Sequence, residues 1–391
     1  ASVVGKEVGD RALGLAAGLD REAMEGVVAE LVSAGFLVEA ELYPSRVLAF
    51  RHPLTREVAY GTQLAEQRRA THAAVAQAMV ELNPDRHDEL SALIAQHFRE
   101  GEQTLEAARW SARAAHWTGH SRPRESLRLW HEVMELADQL EESEETAALA
   151  VSSRLLQLQY AWRVGMSREE QERLAAEAEA IAMRGEDLHA LALLRLATAV
   201  RPGLTQHVDE WLAAVAETER LADRSGDLHL RVAVRAAGAY ALLNAGDFDG
   251  FEAALDEMVE LTGGDPTVGA GVVIGSPIAW AMMGKGMVRR ERGELAEAER
   301  LLDESLRLAL EADDPETASW ARSNQAALLA MRGDVEAALA VGRRNCELTD
   351  RLGDVFSRSV ALANLAWAQV AAGQHEEALG SVEEAERLYR E

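Results

Sequence analysis

A single cysteine in 391 residues leaves no disulfide framework and no cysteine-based zinc site. Cys346 falls on an apolar helical stripe, where a thiol is ordinarily core rather than a reactive group. Aromatic residues are scarce at 5%, so alanine and leucine carry the 48% apolar content, which suits closely packed helices better than sheets. Positive charge is also short. Forty Lys and Arg against 66 Asp and Glu give a net charge of −26, which speaks against nonspecific nucleic-acid binding by the whole chain. The most apolar run, Val268–Val288, is broken by Pro277, Lys285 and five glycines, so it reads as a buried helix and not a membrane span. No signal peptide is visible, and the reducing cytoplasm is the expected compartment. The chain starts at Ala1 without an initiator Met and its last helix stops at Glu391, as expected of a piece of something longer.

What the chain does have is a repeat. Arg292-Gly293-Glu294-Leu295-Ala296-Glu297-Ala298, Arg332-Gly333-Asp334-Val335-Glu336-Ala337-Ala338 and Ala372-Gly373-Gln374-His375-Glu376-Glu377-Ala378 align without gaps, with the glycines 40 positions apart. A fixed period of this size predicts helical units that bury their apolar faces on their neighbours. Each glycine ends a helix in the left-handed conformation, and the next helix is amphipathic, as in Leu295, Ala298, Leu301, Leu302, Leu306 and Ala309. Ala298, Ala338 and Ala378 share one slot, where a small side chain lets the two helices of a hairpin approach. Acidic residues mark the other turns, at Gly185-Glu186-Asp187, Gly226-Asp227, Asp313-Asp314 and Gly353-Asp354. These segments resemble the tetratricopeptide repeat in a 40-residue variant, with Gly286/Ala298, Ala326/Ala338 and Ala366/Ala378 on that family's small-residue positions. The resemblance implies an all-α, right-handed superhelical array of hairpins.

Residues 1–82 read differently. Asp20 caps a helix over Arg21–Ala34 that Gly35 ends. Phe36–Ala40 and Arg46–Phe50 follow as two strands joined across Tyr43-Pro44-Ser45, and a long helix spans about Glu57–Leu82. Two helices and a β-hairpin are the pattern of a small winged helix. Residues 1–80 carry eight Lys/Arg and ten Asp/Glu, and the would-be recognition helix sets Arg21 against Glu22, Glu25 and Glu30, so phosphates would repel it.

Ala1-Ser2-Val3-Val4-Gly5-Lys6-Glu7, Leu31-Val32-Ser33-Ala34-Gly35-Phe36-Leu37, Phe50-Arg51-His52-Pro53-Leu54-Thr55-Arg56-Glu57-Val58-Ala59-Tyr60, Arg68-Arg69 and His72 together resemble one module. It is the winged-helix arm that follows the nucleotide-binding domain of signal-transduction ATPases with numerous domains. The large ATP-binding LuxR-type regulators, similar to the maltose regulator of enteric bacteria, are the nearest group, and cyclase-linked ATPase modules share the arm. The resemblance implies an ATPase before Ala1, where ATP or ADP would bind, and often a LuxR-type DNA-binding domain after Glu391. It implies no cofactor in this chain itself. It also implies that Arg51 and His52 sense the nucleotide state. His52 equally suits a turn residue capping the helix that begins near Thr55.

From residue 88 to 391, helix follows helix, and about seven and a half 40-residue units fit. The expected helices are Asp88–Arg99, Thr104–Trp117, Arg122–Leu140 opened by Ser121, Glu144–Arg163, and one from the Ser167…Glu170 capping box to Met183. Hairpins then occupy about 188–225, 228–263, 273–312, 316–352 and 356–390, with a bend expected at the glycine-rich link 261–271.

No catalytic set emerges. There is no phosphate loop, since Gly284-Lys285-Gly286 lacks the upstream glycine and the Ser/Thr, and no serine nucleophile elbow. His116 and His120 stand four apart but have no third ligand, so no metal site is expected. The first helix of each hairpin is expected to line a concave groove, and these helices carry Trp162, Tyr240, Trp280, Trp320 and Trp367. Asn324 and Asn364 lie nearby, and Lys285, Arg289 and Arg292 form a basic row. An apolar groove with a few polar groups suits a small-molecule inducer or a protein or peptide segment. Tryptophans at this spacing also pack between repeats, and such a row also pairs with acids on a neighbouring helix. The expected role is a sensor region of a cytoplasmic, ATP-dependent transcriptional regulator that contacts neither DNA nor membrane directly and self-associates on activation. The alternative is an interaction scaffold of such an ATPase, one linked to a nucleotide cyclase included. An enzyme in its own right is not expected.

Overall fold

The computed structural model describes residues 2–3, 7–41, 46–119, 122–205 and 208–390; the side chains of residues 7, 8, 162 and 200–205 lie outside the description. The turn at Tyr43-Pro44-Ser45, together with His120, Ser121 and the Trp162 side chain, therefore falls outside it. No helix among the described residues is long and apolar enough to cross a membrane. The chain divides into two compact units, residues 1–117 with 132–149 and residues 118–131 with 150–391.

The first unit opens with β1 (Glu7–Gly9), α1 (Asp10–Ala17), α2 (Arg21–Ser33), β2 (Leu37–Glu41) and β3 (Val47–Phe50). The Asp20 carboxylate accepts from the Ala23 amide at 2.9 Å, as an N-cap should. The strands form one antiparallel sheet in the order β1-β3-β2, with Glu7 opposite Ala49 and Leu37 opposite Phe50. Strand structure is thus not confined to residues 36–51. A third strand pairs the free edge of β3 and takes up its backbone groups. Leu13, Met24, Val28, Leu37 and Leu48 form the core under this sheet. The expected long helix is also two, α3 (Pro53–Gly61) and α4 (Ala65–Leu82), because Thr62 closes the first and Leu64 is extended. After a single turn of 3-10 helix come α5 (His87–Glu100), α6 (Thr104–Thr118), α7 (Pro123–Ala137) and α8 (Glu144–Val164), with residues 123–131 of α7 and 150–164 of α8 belonging to the second unit.

The second unit continues with α9 (Arg168–Arg184), α10 (Leu188–Thr205), α11 (Val208–Ser225), α12 (Leu228–Asn244) and α13 (Phe248–Thr262). It ends with α14 (Pro277–Glu291), α15 (Leu295–Glu311), α16 (Pro315–Arg332), α17 (Val335–Leu352), α18 (Val355–Ala371) and α19 (His375–Arg390). Gly293, Gly333 and Gly373 take φ of 80°, 85° and 74°, the left-handed region that makes glycine the economical choice there. The acids of the other turns are N-caps. Asp187, Asp227, Asp314 and Asp354 accept from backbone amides two or three residues on.

The helices alternate in character. α12, α14 and α16 are buried on most sides, α12, α16 and α18 are rich in alanine, and α18 leaves Ala363, Trp367 and Val370 exposed, whereas α15 buries one stripe of Ala298, Leu301, Leu302, Ser305 and Ala309. Ala298, Ala338 and Ala378 are all buried, as the shared small slot requires. A Cβ on Gly286 would stand 2.9 Å from Leu302 and 3.3 Å from the Ala298 carbonyl, so α14 and α15 touch almost backbone to backbone.

Candidate functional site: an aromatic cavity in the second unit

Trp280, Trp320 and Val360 stand 40 residues apart in sequence and occupy equivalent places near the starts of α14, α16 and α18, while Tyr240 lies near the end of α12. The fold brings all four to the wall of a cavity of about 190 Å³ that is almost wholly apolar. Each ring meets a second aromatic edge-on: Trp211 with Tyr240 at 5.4 Å, Phe251 with Trp280 at 6.2 Å, Phe356 with Trp320 at 6.4 Å. Met283 and Met287 add adaptable thioether surface. Burial pushes the Tyr240 phenol up to about 12, so the ring is neutral at any physiological pH.

The glycine-rich stretch between α13 and α14 contributes Val273 and Ile274 to the wall. It is tied down along its length. The Gly269 amide donates to His229 Nδ1 at 3.1 Å, and the Ser276 amide donates to Asp314 at 2.8 Å. A Cβ on Gly269 would sit 2.4 Å from Val232, and its φ of 76° is left-handed, so no other residue fits.

Asn324 is the one amide side chain in the lining. It donates to the Trp320 carbonyl at 2.9 Å and accepts from Arg290 at 3.0 Å. Asn364, 40 residues on, makes the matching bond to the Val360 carbonyl at 2.9 Å but lies outside the cavity. Trp367 stands two turns beyond the Val360 slot and is 64% exposed. The basic row faces elsewhere. Lys285 pairs with Asp256, Arg289 with Glu252 at 2.9 Å, and Arg292 with Asp249 at 2.6 Å, all on α13. Of the groove residues singled out in the sequence, the fold therefore joins Tyr240, Trp280, Trp320 and Asn324 and leaves Lys285, Arg289, Asn364 and Trp367 apart from them.

Behind the cavity lies a buried polar cluster that sequence patterns did not reveal. Arg163 of α8, 2% exposed, forms a two-point ion pair with Glu316 at 2.6 and 2.8 Å and donates to the Val273 carbonyl at 3.4 Å. Asp314 and Asp354 are buried beside it. Burial, and then the Glu316 charge, raise both aspartates, Asp354 to about 7. Trp320 Nε1 donates to Ser357 Oγ at 3.1 Å, and that hydroxyl donates to Asp354. One wall of the cavity is thus bonded to the acid cluster.

In the first unit, Arg51 and His52 are exposed at the entry to α3. His52 is the N-cap residue, but its side chain makes no cap hydrogen bond. The buried histidines of this unit lie deeper. Tyr60 Oη meets His72 Nε2 at 3.1 Å, and His72 Nδ1 meets His97 Nδ1 at 3.0 Å. Burial lowers both, His97 to about 4. Cys346 is half-buried beside Leu362, Ala385 and Leu388, and burial raises its thiol. No group of three His, Cys, Asp or Glu among the described residues could hold a metal ion.

Residues 277–349 match the model of the tetratricopeptide repeat family. No curated protein matches the sequence. Among solved structures, the chain is similar to a Rap protein complexed with competence and sporulation factor, at 10% identity over 86% of this chain and 90% of that one, with a TM-score of 0.60. It is also similar to a signal-transduction ATPase with numerous domains bearing a tetratricopeptide repeat sensor, from Pyrococcus horikoshii. That match has 9% identity, covers 98% of this chain and 61% of the other, and has a TM-score of 0.44. A third is aspartyl phosphate phosphatase F from Bacillus subtilis, at 9% identity over 84% and 90% of the two chains, with a TM-score of 0.45. The chain is a helical-repeat protein of tetratricopeptide type in its later hairpins, and it shares the fold of the Rap protein.

Proposed function

We propose that this chain is the sensing region of an ATP-dependent transcriptional regulator of the LuxR type, with residues 1–82 as a winged-helix arm and the repeats as the receiver of the signal. The observation that carries the reading is the cavity, because side chains from the first helices of four successive hairpins, three of them at repeat-equivalent positions, converge on one apolar space. A wall of that space, Trp320, is bonded to a buried cluster of limited charge compensation. A ligand that binds one arrangement of this wall better than another shifts the balance between them; without such a difference nothing shifts. The Rap-protein structure, which holds competence and sporulation factor, supports the idea that such an array can receive a factor. The right-handed superhelix, the cytoplasmic setting and self-association on activation belong to the same reading.

In this reading the chain itself is not an enzyme and carries no cofactor; ATP or ADP is handled by a separate domain. A thermal-shift screen of metabolites and short peptides tests it. A hit that raises the melting temperature of the wild type, but not of Trp280→Ala, supports the sensor. Hits that act equally on both chains refer the signal to another surface and defeat the reading.

A further inference from the structure

We propose that the cavity between α12, α14, α16 and α18 binds an uncharged, compact apolar molecule of one ring or a small fused or bridged ring system. The proposal rests on the sensor reading for its purpose and on the cavity alone for its chemistry. Its volume, about 190 Å³, exceeds the roughly 150 Å³ at which an engineered apolar cavity stays dry and takes up benzene. Tyr240 is the one ionisable side chain in the lining, and it is neutral. Lys285, Arg289 and Arg292 are engaged by α13, and Arg290, which donates to Asn324 of the lining, is paired with Glu291. A charged ligand would therefore lose its hydration with no counter-ion in the lining to replace it.

The same wall argues against a chain segment as the occupant. It is built mostly of side chains from helices whose own N–H and C=O groups are already paired, and the carbonyls of Val273 and Ile274 are taken by Arg163 and the Gly271 amide, so an extended peptide would bury most of its backbone amides without partners. Val273 and Ile274 from the tied-down link between α13 and α14 close part of the perimeter, and Asn324 is already engaged on both sides of its amide. What remains available is aromatic and thioether surface, which rewards shape and apolar area.

The test uses the whole 391-residue chain with fluorobenzene, toluene and camphor as neutral probes, and benzoate and benzylammonium as charged counterparts. Binding is read by fluorine NMR, calorimetry and melting temperature. The expected result is saturable binding of the neutral probes, with charged counterparts weaker by about tenfold or more. Ala237→Leu, which fills the space from α12, should abolish binding while leaving helicity intact. Val360→Phe, which fills it from the partly buried α18 side, provides the same readout if the first variant does not fold. No saturable binding of any neutral probe, equal binding of charged probes, or binding untouched by the filling variants would overturn the proposal. A polar inducer that protects these helices while neutral rings fail to bind also overturns it, and leaves the sensor reading standing. Neutral rings that bind while no hit of the metabolite and peptide screen depends on Trp280 support the proposal and defeat the sensor reading.

Discussion

Arg163 and Glu316, 153 positions apart in the chain, meet in a two-point ion pair from which water is almost completely excluded. Two further acids, Asp314 and Asp354, share the site with this one guanidinium. The pair fixes α8 against the start of α16 and, through the Val273 carbonyl, against the wall of the cavity.

Removing one partner should be costly. Glu316→Ala removes the acid bonded to the buried guanidinium, leaving Asp354 as an unbonded neighbour, and should destabilise the second unit by about 3–5 kcal/mol. Replacing both, as Arg163→Met with Glu316→Leu, should cost far less, since the desolvation of two charges goes with them. Denaturant unfolding followed by tryptophan fluorescence reads both. Equal losses in the single and double variants would mean that the charges do not act as a pair.

The acid cluster sets a pH dependence. Asp354 is held at about 7 in the fold, against 3.8 as its ordinary value, so between those limits the folded chain holds a proton that the unfolded chain has released. The stability this group contributes is present below pH 3.8 and is lost as pH rises through about 7. Asp354→Asn should flatten that part of the curve. Amide exchange in α16 and α18 as a function of pH checks it, and an unchanged slope in the variant would count against the assignment.

The first unit should respond in the opposite direction. His97 is held neutral at about 4 against 6.5, so its contribution is present above pH 6.5 and is lost as pH falls through about 4. Protection factors in α4 and α5, which correct for the intrinsic pH dependence of exchange, should therefore fall on acidification, and a His97→Gln chain should lose that dependence. Protection factors in the wild type that do not change with acid would show that the His72–His97 contact carries no such linkage.

Much of the second unit was legible because its signal is periodic. The glycines at 293, 333 and 373 and the small slot at Ala298, Ala338 and Ala378 located the turns and the helix contact. The same period carries a feature that went unread. Ser305 Oγ bonds the Ala279 carbonyl at 2.8 Å, and Asn345, 40 residues later, bonds the Ser319 carbonyl at 2.9 Å. The aromatic wall was only partly visible, because Tyr240 breaks the repeat register, Val360 is aliphatic and Trp367 is off register by seven. Nothing periodic announces Arg163 and Glu316, since each reads locally as an ordinary helix-end charge. β1 was missed because three residues ending in glycine carry no alternation; only pairing with β3 makes them a strand.

The shared small slot makes its own prediction. Ala338 is fully buried between α16 and α17, so Ala338→Leu should cost about 1–3 kcal/mol through overpacking. An unchanged melting temperature would place the helix contact elsewhere.

The central claim is that the signal enters between the first helices of the hairpins, and hydrogen exchange with and without a ligand identified by thermal shift tests it most directly. Protection is predicted in α12, α14, α16, α18 and the 263–276 link, with α16 slowed through the Trp320–Ser357 bond. Protection confined to residues 7–82, or to α13, α15, α17 and α19, would contradict it.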